Sequence, residues 1–316
     1  MDKEKKLSII SPLLLVLAAI IWGISFVAQS EGDDVGSFTF QGIRCLLACF
    51  SVFIVILVRD NTGKNRLAKK KYKTVKAWYQ DNKTLVKAGV ICGIALTAAN
   101  NLQQFGIGMQ GKETSTGKAA FLTALYIVLV PIFGIFFKKK AGIMAWISVA
   151  VAVAGLYLIS VKPGTGTGIS LADILLILCA LFFAIQIITV DRFSADIDGI
   201  KLSCIQFFIA GVLSTILMFI FEKPDMNAIL AQAIPILYSG VLSGGGAFTL
   251  QIIGQKRCNH VLASLLMSLE SVFSALADWA IRGNTLSTRE LFGCAVMFAA
   301  IILVQIPTKK KSAVNS

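Results

Sequence analysis

Residues 264–279 read SLLMSLESVFSALADW, an apolar and small-residue run with one carboxylate, Glu270, near its centre. A carboxyl in such a setting can exchange a proton, attract a cationic group, or hydrogen-bond neighbouring helices together. A charge at the middle of a membrane span costs about 2.5–3.5 kcal/mol even on the lenient insertion scale, so such a residue belongs to a bundle interior or a wet cavity. A second concentration of polar groups is AANNLQQ at 98–104. Asn100 and Gln103 share a helical face at a spacing of three, Gln104 joins Asn100 at four, and Asn101 points elsewhere. Amides are costly in an apolar medium unless paired or wet. Any one of them is explained by a bond between helices; the cluster points to the wall of a polar pathway.

Two cations, Arg44 and Lys118, stand inside apolar runs one or two turns from a span end. Long basic side chains in such places snorkel to the headgroups, and the alternative is a gate or an anion-attracting vestibule. Gln41 and Gln206 flank the same layer. Asp278, four residues before Arg282, reads as a local ion pair.

Several other signals carry no chemistry. The cysteines at 45, 49, 92, 179, 204, 258 and 294 form no CxxC pair, and His260 is the single histidine, so neither a zinc site nor a disulfide framework is expected. GIGMQGKE at 106–113 has the glycine and lysine spacing of a phosphate loop. Glu113 follows the lysine where Ser or Thr is required, and the segment ends an apolar helix. GTGTG at 164–168 is an external turn, and GVICG at 89–93 and GVLSGGG at 240–246 suit close helix packing. No metal, cofactor or nucleophile–base pair is expected, and the chain does not read as an enzyme.

The elements that would position these residues follow from composition. The chain has 316 residues, 56% hydrophobic and 15% charged, with a mean hydropathy of +0.77. That is far more apolar than soluble domains. Ten runs are long enough to cross a hydrocarbon layer: 9–29, 37–58, 85–109, 114–137, 142–161, 171–190, 199–221, 227–254, 259–281 and 288–306. The first has no small-residue cleavage site after it and is expected to be a retained span. With the N-terminus inside, 23 of the 30 Lys and Arg fall on the cytoplasmic side, against Lys112, Lys162, Lys223, Arg282 and Arg289 outside. The positive-inside rule therefore places both termini in the cytoplasm and accounts for the net charge of +13 without nucleic acid. The basic segment 64–83, interleaved with Tyr72, Trp78 and Tyr79, is a cytoplasmic loop or a short helix on anionic lipid.

The chain also repeats. LQQFG at 102–106 is echoed by LQIIG at 250–254, which pairs Gln103 with Gln251. AAFLTALYIV from Ala119 then aligns with ASLLMSLESV from Ala263, matching Ala119, Leu122, Leu125 and Val128 to Ala263, Leu266, Leu269 and Val272. The identities recur every third residue, as one helical face requires. Two halves of five spans, 1–161 and 162–316, must enter from opposite sides, which makes an inverted repeat. The register places Tyr126 opposite Glu270, so a phenol in one half faces a carboxyl in the other.

IIWGISFV in span 1, LQQFG followed by TGKAAFLTALYIVLVPIF, and LQIIG followed by ASLLMSLESVFSAL closely resemble the EamA-type carriers of the drug/metabolite transporter superfamily, over nearly the whole chain. Ser271 stands where many relatives have a proline, and the basic loop after span 2 looks longer than usual. The resemblance implies two five-helix halves around a central cavity and transport of small metabolites, often amino acids or exported compounds. It also implies that Trp22, Ser25 and Gln186 join Glu270, Tyr126, Asn100, Gln103 and Gln251 around that cavity. The expected protein is an all-α, multi-pass protein of a bacterial-type cytoplasmic membrane. It is expected to be a secondary carrier of a small polar solute by alternating access, with proton coupling permitted by Glu270. The competing readings are an intramembrane or lipid-modifying enzyme using Glu270 and Tyr126, and a channel or sensor.

Overall fold

The computed structural model describes residues 3–62, 74–110, 116–139, 141–160 and 169–306. Ten helices are long and apolar enough to span a bilayer. They are α1 (Lys3–Glu31), α2 (Ser37–Asn61), α3 (Lys83–Gln110), α4 (Thr116–Phe136), α5 (Ile143–Ser160), α6 (Leu171–Phe193), α7 (Gly199–Phe221), α8 (Ala233–Gln255), α9 (His260–Arg282) and α10 (Thr288–Gln305). Helices are the expected solution in hydrocarbon, where each segment must satisfy its own backbone. The glycine-rich turn at 164–168, Lys112, Lys162 and most of the basic segment lie outside the described residues.

One boundary differs from expectation. Met226–Ala231 is a separate short helix capped by Asp225, and α8 begins only after Gln232. Pro235 is the reason: it cannot donate to the previous turn, and it is tolerated only in the first turn of a new helix.

The spans pack in a pattern that is preserved when α1–α5 are exchanged for α6–α10. The main contacts are α2 with α7, α3 with α6, α1 with α8, and α5 with α10. α4 packs on α6 as α9 packs on α1, and α3 packs on α7 as α8 packs on α2. Small buried residues such as Ala18, Ala19, Ala180, Ala184 and Ala263 let the backbones approach. α5 and α10 approach closely at Gly155 and Gly293, where a Cβ built on Gly293 would lie 2.8 Å from the Gly155 carbonyl. Residues 240–245 of α8 lie against Leu47, Ala48 and Ser51 of α2, so this glycine cluster serves packing as its composition indicates. Large apolar side chains such as Phe50, Phe53, Phe219 and Ile302 point outward, as a lipid-facing surface requires.

Three spans are irregular. α8 widens into a π stretch at Tyr238–Ala247. α4 breaks at Leu125 (φ −59°, ψ −9°) and α9 at Leu269 (φ −59°, ψ −12°), and each break is closed by tighter i to i+3 bonds. In α9 the Ser268 hydroxyl donates back to the Leu265 carbonyl at 2.8 Å, a competing bond that bends helices. The bend thus forms with a serine, Ser271, and no proline after Glu270.

Candidate functional site

Tyr126 is the first residue after the break in α4, and Glu270 is the first after the break in α9. Both are buried, 3% and 5% exposed, and both line one cavity of about 30 Å³, room for a water or two in this conformation. α1 contributes Trp22, Ser25, Phe26 and Gln29; α2 contributes Arg44; α3 contributes Gln103. α6 supplies Phe183, Gln186 and Ile187; α8 supplies Ser243, Phe248 and Gln251; α9 adds Met267.

The walls differ in chemistry. Phe248 anchors an aromatic wall, with Trp22 edge-on at 4.9 Å, Phe207 at 5.2 Å and Phe183 at 6.4 Å between ring centroids. Beside it runs an amide chain: Gln251 Nε2 donates to Gln186 Oε1 at 3.0 Å, and Gln186 Nε2 donates to Gln206 Oε1 at 3.3 Å. Gln103 Nε2 donates to Thr123 Oγ1 at 3.3 Å, which ties α3 to α4.

Four polar atoms on the cavity lining complete no hydrogen bond with protein: Trp22 Nε1, Tyr126 Oη, Gln251 Oε1 and Glu270 Oε1. The phenol and the carboxyl are near enough to interact, yet neither of these two atoms is satisfied by the other. Buried polar atoms are nearly always paired, so four on one cavity mark a surface suited to water or a polar solute.

Seven of the eight residues expected to bind substrate are brought together. The eighth, Asn100, is buried but faces α2, its Nδ2 lying 3.7 Å from Cys45 Sγ. The two cations part company. Lys118 pairs with Asp173 at 2.7 Å, fixing the start of α4 to the first turn of α6, with its side chain 38% exposed. Arg44 does not snorkel: it is 2% exposed and turned into the cavity. The Asp278–Arg282 pair forms, at 3.5 Å.

Gln29, Ser243, Phe183 and Phe248 line the cavity without having been singled out from the sequence. Gln29 fell at the expected end of span 1 and Ser243 inside a motif assigned to packing. Phe183 and Gln186 have the spacing of Trp22 and Ser25 in the other half, and that echo was the available signal.

The chain matches the EamA-like transporter family over residues 9–161 and 170–306. It is 27% identical over 295 residues to an uncharacterized transporter of Archaeoglobus fulgidus, covering 92% of this chain and 84% of that one. It is 23% identical over 297 residues to YedA, an uncharacterized inner membrane transporter of Escherichia coli K12, covering 91% and 88%. A solved crystal structure shares the fold with a TM-score of 0.74 at 16% identity, covering 93% of this chain and 96% of that one.

Proposed function

The chain belongs to the EamA-like transporter family, and from that premise we propose a secondary carrier that moves a small polar metabolite across the cytoplasmic membrane by alternating access. Both termini lie in the cytoplasm in this reading, and Glu270 exchanges a proton during the cycle. The observation that carries it is the set of four unpartnered polar atoms around one cavity, at the level where two spans break.

The halves, residues 1–161 and 162–316, act as an inverted repeat. The exchange symmetry of the helix contacts and the matching breaks at Leu125 and Leu269 support this arrangement. Two similar bundles in opposite orientations can trade conformations and so turn a central site from one face to the other. Tyr126 and Glu270 hold the solute at the centre, while Gln103 in one half and Gln251 in the other meet its polar edges.

Counterflow in proteoliposomes tests the reading, with solutes first found by thermal stabilisation, because a ligand of the native state raises stability by mass action. Solute on the far side should accelerate uptake. Chemical conversion of the bound compound without acceleration would instead favour the membrane enzyme using Glu270 and Tyr126.

A further inference from the structure

We propose that the cavity has an anion seat, built from Arg44 and Ser243, and that the transported solute therefore carries a carboxylate. This deepens the carrier reading above and rests on it.

Arg44 lies in the middle of a polar cage. Its Nε donates to the Ser239 carbonyl at 3.0 Å, Nη1 to Gln29 Oε1 at 3.1 Å and Gln41 Oε1 at 3.3 Å, and Nη2 to Ser243 Oγ at 3.2 Å. Every one of these acceptors is neutral. Among the described residues Arg44 forms no ion pair, whereas Arg59, Lys118, Lys139, Lys201 and Arg282 each reach a carboxylate. Those five cations sit near span ends, so the buried one is the exception. Buried charges are normally paired, and Arg44 is left with full charge on the wall of a cavity.

The donor arithmetic locates the seat. A guanidinium has five N–H groups, and four are engaged, which leaves one on Nη2. Ser243 accepts from that same Nη2, so its own hydroxyl proton is free to donate, and both residues line the cavity. Two adjacent donors suit the two oxygens of a carboxylate. Trp22 Nε1, unpartnered on the same lining, is a third donor.

The cage holds the fork still. Gln41 Nε2 donates to Gln104 Oε1 at 3.2 Å, and Gln104 Nε2 donates to the Gln29 carbonyl at 3.0 Å, so α1, α2 and α3 all restrain it. The carbonyl that receives Nε belongs to the π stretch of α8, whose widened turns also carry Ser243. A cation held rigidly by neutral groups is preorganised for an outside anion.

The test uses the full chain in lipid nanodiscs and thermal unfolding with matched probes: amino acids, 2-hydroxy acids and unsubstituted small acids, each beside its carboxamide. At least one acid should stabilise the protein, with its amide about tenfold weaker or worse, the usual effect of losing a charge-assisted bond. Arg44→Lys should keep the preference at lower affinity, Ser243→Ala should weaken the acid a few-fold, and Arg44→Gln should abolish the preference. If Arg44→Gln fails to fold, the lysine and alanine variants decide. Acid and amide binding alike, no acid binding, or an acid preference untouched by Ser243→Ala and Arg44→Lys would each overturn the seat. Counterflow separates the two readings. An uncharged solute carried by wild type and by Arg44→Lys alike removes the seat and leaves the carrier, whereas an acid bound through Arg44 without counterflow does the reverse.

Discussion

The breaks in α4 and α9 are the same piece of backbone used for different chemistry. Leu125 and Leu269 have nearly identical dihedral angles, and the residue after each turns into the cavity. In one half that residue is a phenol, which stays neutral, and in the other a carboxyl, which can change charge. In the carrier reading the halves can exchange shapes while the site keeps one polarity.

Removing the charge-changing member should have the largest effect. Glu270→Gln is expected to lower coupled transport on the order of 100-fold, the upper range for a charged hydrogen-bonding group, with the fold retained because the amide is nearly isosteric. Transport by this variant at wild-type rate and with wild-type pH dependence would reject the role. Tyr126→Phe removes a neutral hydroxyl and should cost about 2–10-fold in apparent affinity, measured by the same uptake assay. Equal losses at the two positions would erase the functional asymmetry.

Much of this was legible in the sequence, for reasons that also explain the rest. Ten spans follow from composition, since a bilayer demands long apolar helices. Glu270 stood out because a charge in hydrocarbon is expensive, and repeat register then located Tyr126. Asn100 was expected beside Gln103, but a spacing of three leaves about 60° between side chains, enough for one to line the cavity and the other to meet Cys45 on α2. Arg44 read either as snorkelling to headgroups or as a gate or vestibule cation, because most of its cage, Gln29, Ser239 and Ser243, lies far from it in sequence. Phe248 looks in sequence like any lipid-facing phenylalanine.

Two ion pairs at helix ends extend the comparison. Lys139, just past α4, pairs with Asp191 near the end of α6. Arg282 at the end of α9 pairs with Glu31 at the end of α1 at 2.6 Å. These pairs exchange under the same helix correspondence, and in the carrier reading each closes one face of the bundle. Exposed pairs contribute about 0.2–1 kcal/mol, so Lys139→Ala and Arg282→Ala should each shift cavity exposure a few-fold, in opposite directions. Labelling of Ser25→Cys by a membrane-impermeant reagent from each side of vesicles, in a background without other accessible thiols, measures it. A shift in the same direction for both would break the symmetry argument.

The remaining expected effects concern stability, not transport, at the contact between α2 and α7. Asp198 caps its own helix, α7, accepting from the Ile200 and Lys201 amides at 3.0 and 3.3 Å, and it pairs with Arg59 near the end of α2. At the opposite face α2 starts after Gly36, whose φ of +90° favours glycine and which provides no cap. The cap comes instead from Glu222 just past α7, which accepts from the Phe38 and Thr39 amides at 2.9 and 2.7 Å and from the Thr39 hydroxyl at 2.7 Å. Glu222→Ala should therefore cost about 2 kcal/mol, at the upper end for a cap, and Asp198→Ala about 1 kcal/mol, both read from thermal unfolding in detergent. Burial disfavours the Asp198 carboxylate, but the Arg59 hydrogen bond and charge outweigh it and hold this carboxyl below its usual range. Its stabilisation should then be complete above about pH 4, where an unfolded aspartate ionises, and fade as pH falls through the lower folded value. An Asp198→Ala deficit that persists undiminished well below that range would show that its cap and ion pair do not depend on the charge.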